Sequence, residues 1–398
     1  MTSDLIPGRP RPPNLYQGPT MPNHLRTLAA AALAGLALAA GATPAAAQSD
    51  ILLQLRSGAP AGDRFRVDSA GGFVAVTQLG IGIIPASGAG YRFMYHPFKA
   101  AVRFGHANGT EWDDANIGFY SFAGGESSRA SAFGTFAFGD QTIVTGVDGA
   151  GFGGSNEVGG TAGFTAGASN NVCGFGSVAI GFTNTTGNID GSGNCVAGDG
   201  QGAVAIGYRV TADADYAVAI GHRASADNHS GVFVAGDEST TDSIEAVANN
   251  EFAARYAGGY RFRTNATLTT GCNLPAGSGV FSCSSSRMLK ERFAGVDGED
   301  ILARIRQIPV TTWSYIGENG AVRHLGPVAE DFRAAFGLGI DAQSIGLLDI
   351  DGVNFAAVKA LEERTRSLEA EVAELRRTVQ LLLAAQAQNT PAPAAPRQ

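Results

Sequence analysis

Charge is scarce in this 398-residue chain: Asp, Glu, Lys and Arg make up 16% of it, and its 28 basic residues gather into no stripe. A net charge of -8 without a basic face offers a phosphate backbone no partner, so nucleic acid is not an expected ligand. Cysteine occurs four times, never in Cys-x-x-Cys spacing and with no histidine pair nearby, so no tetrahedral metal set is expected. Stretches such as Gly198-Asp199-Gly200 lack the lysine-serine end of a phosphate loop and the nonapeptide period of a calcium roll. They are turns, and no cofactor is expected. After residue 47 no apolar run approaches the roughly 20 residues that a membrane helix requires.

Glycine, by contrast, occurs 55 times, about twice its ordinary share of roughly 7%. From Asn116 to Gly236 it closes one recurring phrase: Ser121-Phe122-Ala123-Gly124, Phe136-Ala137-Phe138-Gly139, Val178-Ala179-Ile180-Gly181, Val204-Ala205-Ile206-Gly207, Val218-Ala219-Ile220-Gly221 and Phe233-Val234-Ala235-Gly236. Gly207 and Gly221 are 14 residues apart and Gly221 and Gly236 are 15, while the spacing drifts between Gly139 and Val178. In a short strand Val204 and Ile206 share one face and Ala203 and Ala205 the other, and a following glycine can take positive φ. One unit cannot bury its apolar face alone, so stacked units must build a continuous core, the pattern of a β-solenoid or β-roll over residues 116–240. The phrases resemble the β-roll head repeats of trimeric autotransporter adhesins. A glycine-rich disordered linker is the alternative, and β-branched residues at alternate positions argue against it.

The N-terminal segment, residues 1–47, has the layout of an export leader with Met21 as the expected start. His24 and Arg26 form a basic region, Leu28 to Ala40 an apolar one, and Ala45-Ala46-Ala47 a small-x-small cleavage site before Gln48. An uncleaved alanine-rich anchor is the competing reading. An exported chain meets an oxidising compartment, where four cysteines can pair. Cys173 with Cys195 and Cys272 with Cys283 is the local arrangement among three connectivities, and the sequence does not choose among them. Residues 48–115, with Phe73-Val74-Ala75-Val76 and the aromatics Tyr91, Phe93, Tyr95, Phe98 and Trp112, are expected to form a β-rich head or cap. These aromatics are read as core in preference to a glycan-binding surface. Residues 241–284, including Gly258-Gly259-Tyr260-Arg261-Phe262-Arg263-Thr264, are read as a hairpin-like β connector.

At the junction that follows, Ser285-Ser286-Arg287-Met288-Leu289-Lys290 places a hydroxyl five residues before an amine. A serine is a weak nucleophile at neutral pH, and a lysine can act as its base only when unprotonated. Lowering a lysine pKa from about 10.4 to 7–8 by burial costs roughly 4 kcal/mol, which folding or assembly must offset. On spacing alone the hexad reads sooner as a flexible turn before a strand. Two later blocks change that weighting: His324-Leu325-Gly326-Pro327-Val328-Ala329-Glu330-Asp331-Phe332 and Asp349-Ile350-Asp351-Gly352-Val353. In this order the three resemble the intramolecular chaperone auto-processing domain, peptidase S74 type, of phage tail fibres, endosialidases and related fibrous proteins. The resemblance implies Ser285 as nucleophile, Lys290 as its partner and Leu289 as the apolar residue before that lysine. Ser286 stands where the family usually has Asp or Asn. It also implies a single cut in cis next to Ser285, at the Ser284–Ser285 bond. His324 is read as a hydrogen-bonded structural residue, and Glu330 and Asp331 as a solvated turn or helix start.

After Gly352, the residues Val358, Leu361, Thr365, Leu368, Val372, Leu375, Val379 and Leu382 follow 3-4 spacing, a coiled-coil seam over residues 356–386 before a disordered tail at 387–398. A single amphipathic helix packed on its own domain is the alternative. Valine at a and leucine at d favour two strands in simple coils, whereas the family resemblance implies three. The expected fold class is mainly β: a trimeric β-roll or β-solenoid head and stalk, then an α+β chaperone domain at 285–355 ending in the coiled-coil helix. The expected function is that of an exported homotrimeric fibre or adhesin-like protein, with a cell-surface or glycan receptor, that cuts itself through Ser285 and Lys290. Two rivals stand beside it. One is an uncleaved trimeric adhesin with a decayed site; the other is a secreted tailspike-like glycan hydrolase, hinted at only by Trp112-Asp113-Asp114.

Overall fold

The computed structural model describes residues 51–58, 61–191, 193–196, 198–318 and 320–389; the expected leader and the segment after Asn389 lie outside the described residues. Two compact units emerge. The first ends at Tyr260 and takes back Leu274–Phe281, and the second comprises Arg261–Asn273 and the chain from Ser282 onward.

The first unit is dominated by a parallel ladder. Strands Ala101–Ala107, Phe122–Glu126, Phe136–Asp140, Ala150–Gly154, Phe164–Ala168, Val178–Phe182, Val204–Tyr208, Val218–His222, Phe233–Gly236 and Phe252–Arg255 pair in that order. Two-residue strands from Arg129–Ala130 to Ile244–Glu245 form a second parallel sheet, visited once per coil. This is the expected β-roll, with three refinements. Phe122, Phe136, Ala150, Phe164 and Val178 are register partners at an unbroken 14-residue step, so the repeat does not drift between Gly139 and Val178. The interruption comes later, where Val178 pairs with Val204 and the added residues form the hairpin Asn188–Ile189/Cys195–Val196, bonded to the roll through Cys173–Cys195. Phe252–Arg255 pairs in parallel with Phe233–Gly236, so it is a rung and not part of the connector.

Side-chain size decides which face is inside. Ala123, Ala137, Ala179, Ala205 and Ala219 are fully buried against Ala130, Val144, Val158 and Val172 or their equivalents in the later coils. The interior is tight: a methyl group on Gly151 would lie 2.8 Å from the Thr142 Cγ2. The bulkier partners in the phrase point outward, with Phe138 41%, Ile180 37% and Ile206 40% exposed. They stack along the outer surface, as in Phe122–Phe136 at 4.7 Å and Phe136–Phe152 at 5.0 Å between ring centroids. Stacking coils therefore buries the alanines, and the valine, isoleucine and phenylalanine face is left uncovered by its own chain.

Two ladders hold the corners. Gly139 has φ of 130°, and a Cβ there would sit 1.9 Å from the Gly153 carbonyl oxygen, so only glycine lets successive coils approach this closely. At the next corner the buried Asn156, Asn170 and Asn184 form a chain: Asn170 Nδ2 donates to Asn156 Oδ1 and Asn184 Nδ2 to Asn170 Oδ1, each at 3.0 Å. The same amides also donate to the Gly181 and Gly207 carbonyls, satisfying buried polar groups at the turn.

Upstream, Gly90–His96 pairs antiparallel with Ala101–Ala107 and so joins the edge of the main sheet, while Ile51–Gly58, Ala61–Asp68 and Phe73–Ala75 form a separate antiparallel sheet. The aromatics expected as core divide. Trp112 is fully buried with its Nε1 donating to the Ser128 carbonyl at 2.8 Å, whereas Tyr91 and Phe93 are exposed.

In the second unit, Cys272 and Asn273 pair antiparallel with Cys283 and Ser282. Helix α1 (Gly298–Ile305), the hairpin Thr311–Trp313/His324–Gly326, α2 (Ala329–Phe336) and α3 (Leu347–Asn389) follow. Asp297 caps α1 by accepting from the Glu299 and Asp300 amides, and Gly337 ends α2 in the left-handed region at φ 68°. Ile301, Leu302, Phe332, Val353, Ala357 and Ala360 make a small core, reached only by the first turns of α3. Beyond it, Leu361, Leu368, Val372, Leu375, Val379 and Leu382 are exposed, so the seam is not packed on its own domain.

Candidate processing site

The hexad is built around a 3-10 turn, Arg287–Leu289. The Leu289 amide donates to the Ser286 carbonyl at 3.1 Å and the Lys290 amide to the Arg287 carbonyl at 3.2 Å, folding the chain back on itself. Ser286 caps this turn, its Oγ accepting from the Met288 amide at 3.3 Å. Serine, aspartate and asparagine are the side chains that commonly accept such a bond at an N-cap. The turn returns Lys290 to the start of the motif, where its Nζ donates to the Ser285 Oγ at 2.7 Å. The two residues singled out by sequence are therefore in direct contact. Both are exposed in the single chain, as are Met288 and Leu289.

On the upstream side the chain is anchored. The Ser284 amide donates to the Gly271 carbonyl at 2.9 Å, and Cys272 and Cys283, register partners across the hairpin, are joined by a disulfide. With Cys173–Cys195 this is the local connectivity of the three open to the sequence, and no free cysteine is present among the described residues.

The other candidate groups have structural partners. His324 Nε2 meets Glu318 Oε1 at 3.0 Å and its ring packs on Trp313, with centroids 4.6 Å apart. That hydrogen bond, with one from the Tyr315 amide, holds the Glu318 carboxyl below its ordinary pKa. Glu330 and Asp331 occupy the first turn of α2, where carboxylates suit the helix dipole. In the head, Asp113 accepts from the Gly88 amide, and Asp114 meets the buried His96 at 2.7 Å and Lys99 at 3.4 Å. The His96 hydrogen bond is the main cause of the lowered Asp114 pKa. Trp112 is buried, and both carboxylates are tied to other groups of the head through these contacts.

Residues 285–337 match the Peptidase_S74 family, chaperone of endosialidase. The match opens on Ser285 itself and closes on Gly337, the residue that ends α2. The S74 segment thus contains the Ser285–Lys290 contact, α1, the Trp313–His324 hairpin and α2. No curated protein and no solved structure matches the chain. No helix among the described residues is long and apolar enough to cross a membrane.

Proposed function

We propose that this chain is an exported homotrimeric fibre or adhesin-like protein whose S74 unit drives assembly and then severs itself from the roll at Ser284–Ser285. The observation that carries the reading is the 2.7 Å contact of Lys290 Nζ with Ser285 Oγ at the first residue of the family match. Two uncovered apolar surfaces support the trimer: the outer ladder of the roll and the α3 seam. Apolar area of this extent is the common mark of a protein–protein interface.

The chemistry is an acyl transfer followed by hydrolysis. Ser285 Oγ gives its proton to Lys290 and bonds to the Ser284 carbonyl carbon. The Ser284–Ser285 C–N bond then breaks as that proton passes to the leaving nitrogen. The resulting ester is hydrolysed by one water, activated by the same amine, leaving a carboxylate on Ser284 and a free amino group and hydroxyl on Ser285. An amine in water is protonated at neutral pH and cannot begin this sequence, whereas burial favours its neutral form. Lys290 is exposed in one chain, so closure by neighbouring copies supplies the activation, and cleavage reports completed assembly.

Expression of the full chain beside Ser285→Ala tests the reading. The expected result is two wild-type fragments divided at residue 285 against one intact variant. Identical uncut bands would leave the uncleaved trimeric adhesin as the better account.

A further inference from the structure

We infer that the Cys272–Cys283 disulfide and the Ser284 hydroxyl clamp the acyl side of the scissile bond, which makes processing conditional on an oxidising compartment. The inference rests on the cleavage reading above.

Cys283, Ser284 and Ser285 are consecutive, so the cross-link lies one residue from the carbonyl under attack. The strand that carries it, Ser282–Cys283, is only two residues long, and its register pairs are Cys272↔Cys283 and Asn273↔Ser282. A strand this short frays readily at a sheet edge. The disulfide fastens it covalently to the longer strand Gly271–Pro275. That strand is itself braced by Arg263, whose guanidinium donates to the Cys272 carbonyl at 3.1 Å and to Asn273 Oδ1 at 2.6 Å. Ser284 continues the clamp past the cross-link. Its Oγ accepts from the Gly271 amide at 3.2 Å and lies 3.0 Å from the Gly271 carbonyl and 3.1 Å from the Thr269 carbonyl, to either of which it can donate.

Two independent devices therefore meet at one peptide bond. The 3-10 turn sets the nucleophile and its base, and the hairpin clamp sets the carbonyl. Attack needs both halves oriented together, and loosening one lowers the rate without altering the base. A chain still reduced, as before export, holds the carbonyl side by hydrogen bonds alone and is cut more slowly.

The test is the cleavage rate of assembled full-length trimers, formed oxidised or under dithiothreitol, across a pH series. Reduced trimers are expected to cut about tenfold more slowly, with the rate–pH midpoint unchanged and only the plateau lowered. Cys272→Ser/Cys283→Ser should be slow in both conditions, whereas Cys173→Ser/Cys195→Ser should match wild type when oxidised. Ser284→Ala should slow oxidised trimers and Ser284→Thr restore them, a comparison that stands even where the reduced chain fails to assemble. Equal rates in oxidised and reduced trimers, or full-rate cutting by Ser284→Ala, would overturn the clamp alone. A displaced midpoint would move the effect to the Lys290 environment and also overturn it. Oxidised wild-type trimers that never cut would overturn the cleavage reading and the clamp with it.

Discussion

The roll and the unit that carries the S74 match differ in how much of their apolar surface a single chain buries. In the roll each chain finishes its own interior: alanines and valines interlock at zero exposure, and an asparagine chain satisfies the corner. In the S74 unit six residues make the buried core, and most of α3 extends beyond it with its apolar stripe exposed. The roll can therefore form coil by coil from local contacts, as nearest-neighbour repeats do. The long helix has no such partner among the described residues of its own chain beyond the small core, and in proteins most helical stability comes from a packed apolar face. The roll thus closes its interior within one chain and leaves an outer phenylalanine and isoleucine ladder exposed, whereas α3 leaves the whole of its seam exposed.

The comparison breaks most severely at Gly139. Valine there would combine a backbone conformation that favours glycine with a clash against the Gly153 carbonyl, at a cost of about 2–6 kcal/mol. Thermal unfolding followed by circular dichroism should show loss of the roll transition with the helical signal retained. If the variant melts like wild type, the within-chain account of the roll is wrong.

Leu368→Asp with Leu375→Asp probes the other side. Each leucine contributes about 2 kcal/mol of apolar burial per copy in a closed coil, and the substitution adds charge to the seam. Sedimentation should give monomers that remain uncut but retain β-rich ellipticity. Variant trimers that cut normally would show that the α3 seam is not needed for assembly.

The smallest expected effect is at the last rung. The Ala257 amide first, then Ser239 and Arg255, holds the Asp237 pKa down to about 2, with Arg255 Nε at 3.1 Å. A carboxyl depressed in the folded state stabilises fully above its unfolded pKa near 4, and that contribution is lost as pH falls through about 2. Asp237→Asn should lower the melting temperature slightly at pH 6 and converge with wild type below pH 2. A constant gap across that window would exclude the ionised carboxylate as the cause.

Much of this contrast was legible in the sequence. Val-Ala-Ile-Gly phrases announced the roll, and the hexad with its downstream blocks announced the S74 match at residues 285–337. The face assignment was only half legible. Alternation separates Ala205 from Ile206 without saying which face is inside, and the tight space between the two sheets decides for alanine. The coils at Ala150–Gly154 and Phe164–Ala168 were hidden because glycine and threonine occupy the inner positions, where small size matters and hydrophobicity does not. Ser286 stands where the family usually carries Asp or Asn, and spacing gave no sign that its hydroxyl accepts from the Met288 amide in the turn. The Ser284 anchorage left no trace in spacing, since it depends on Gly271 lying across a hairpin.

Cleavage measured against oligomeric state is the most direct test of the central claim. Full-length chains can be refolded over a range of concentrations and separated by size, and each fraction analysed by intact mass. The account predicts that monomers keep a mass spanning residue 285, while trimers yield products ending at Ser284 and beginning at Ser285. Monomers that cut as readily as trimers would contradict it, because the Ser285–Lys290 contact would then need no second copy to become reactive.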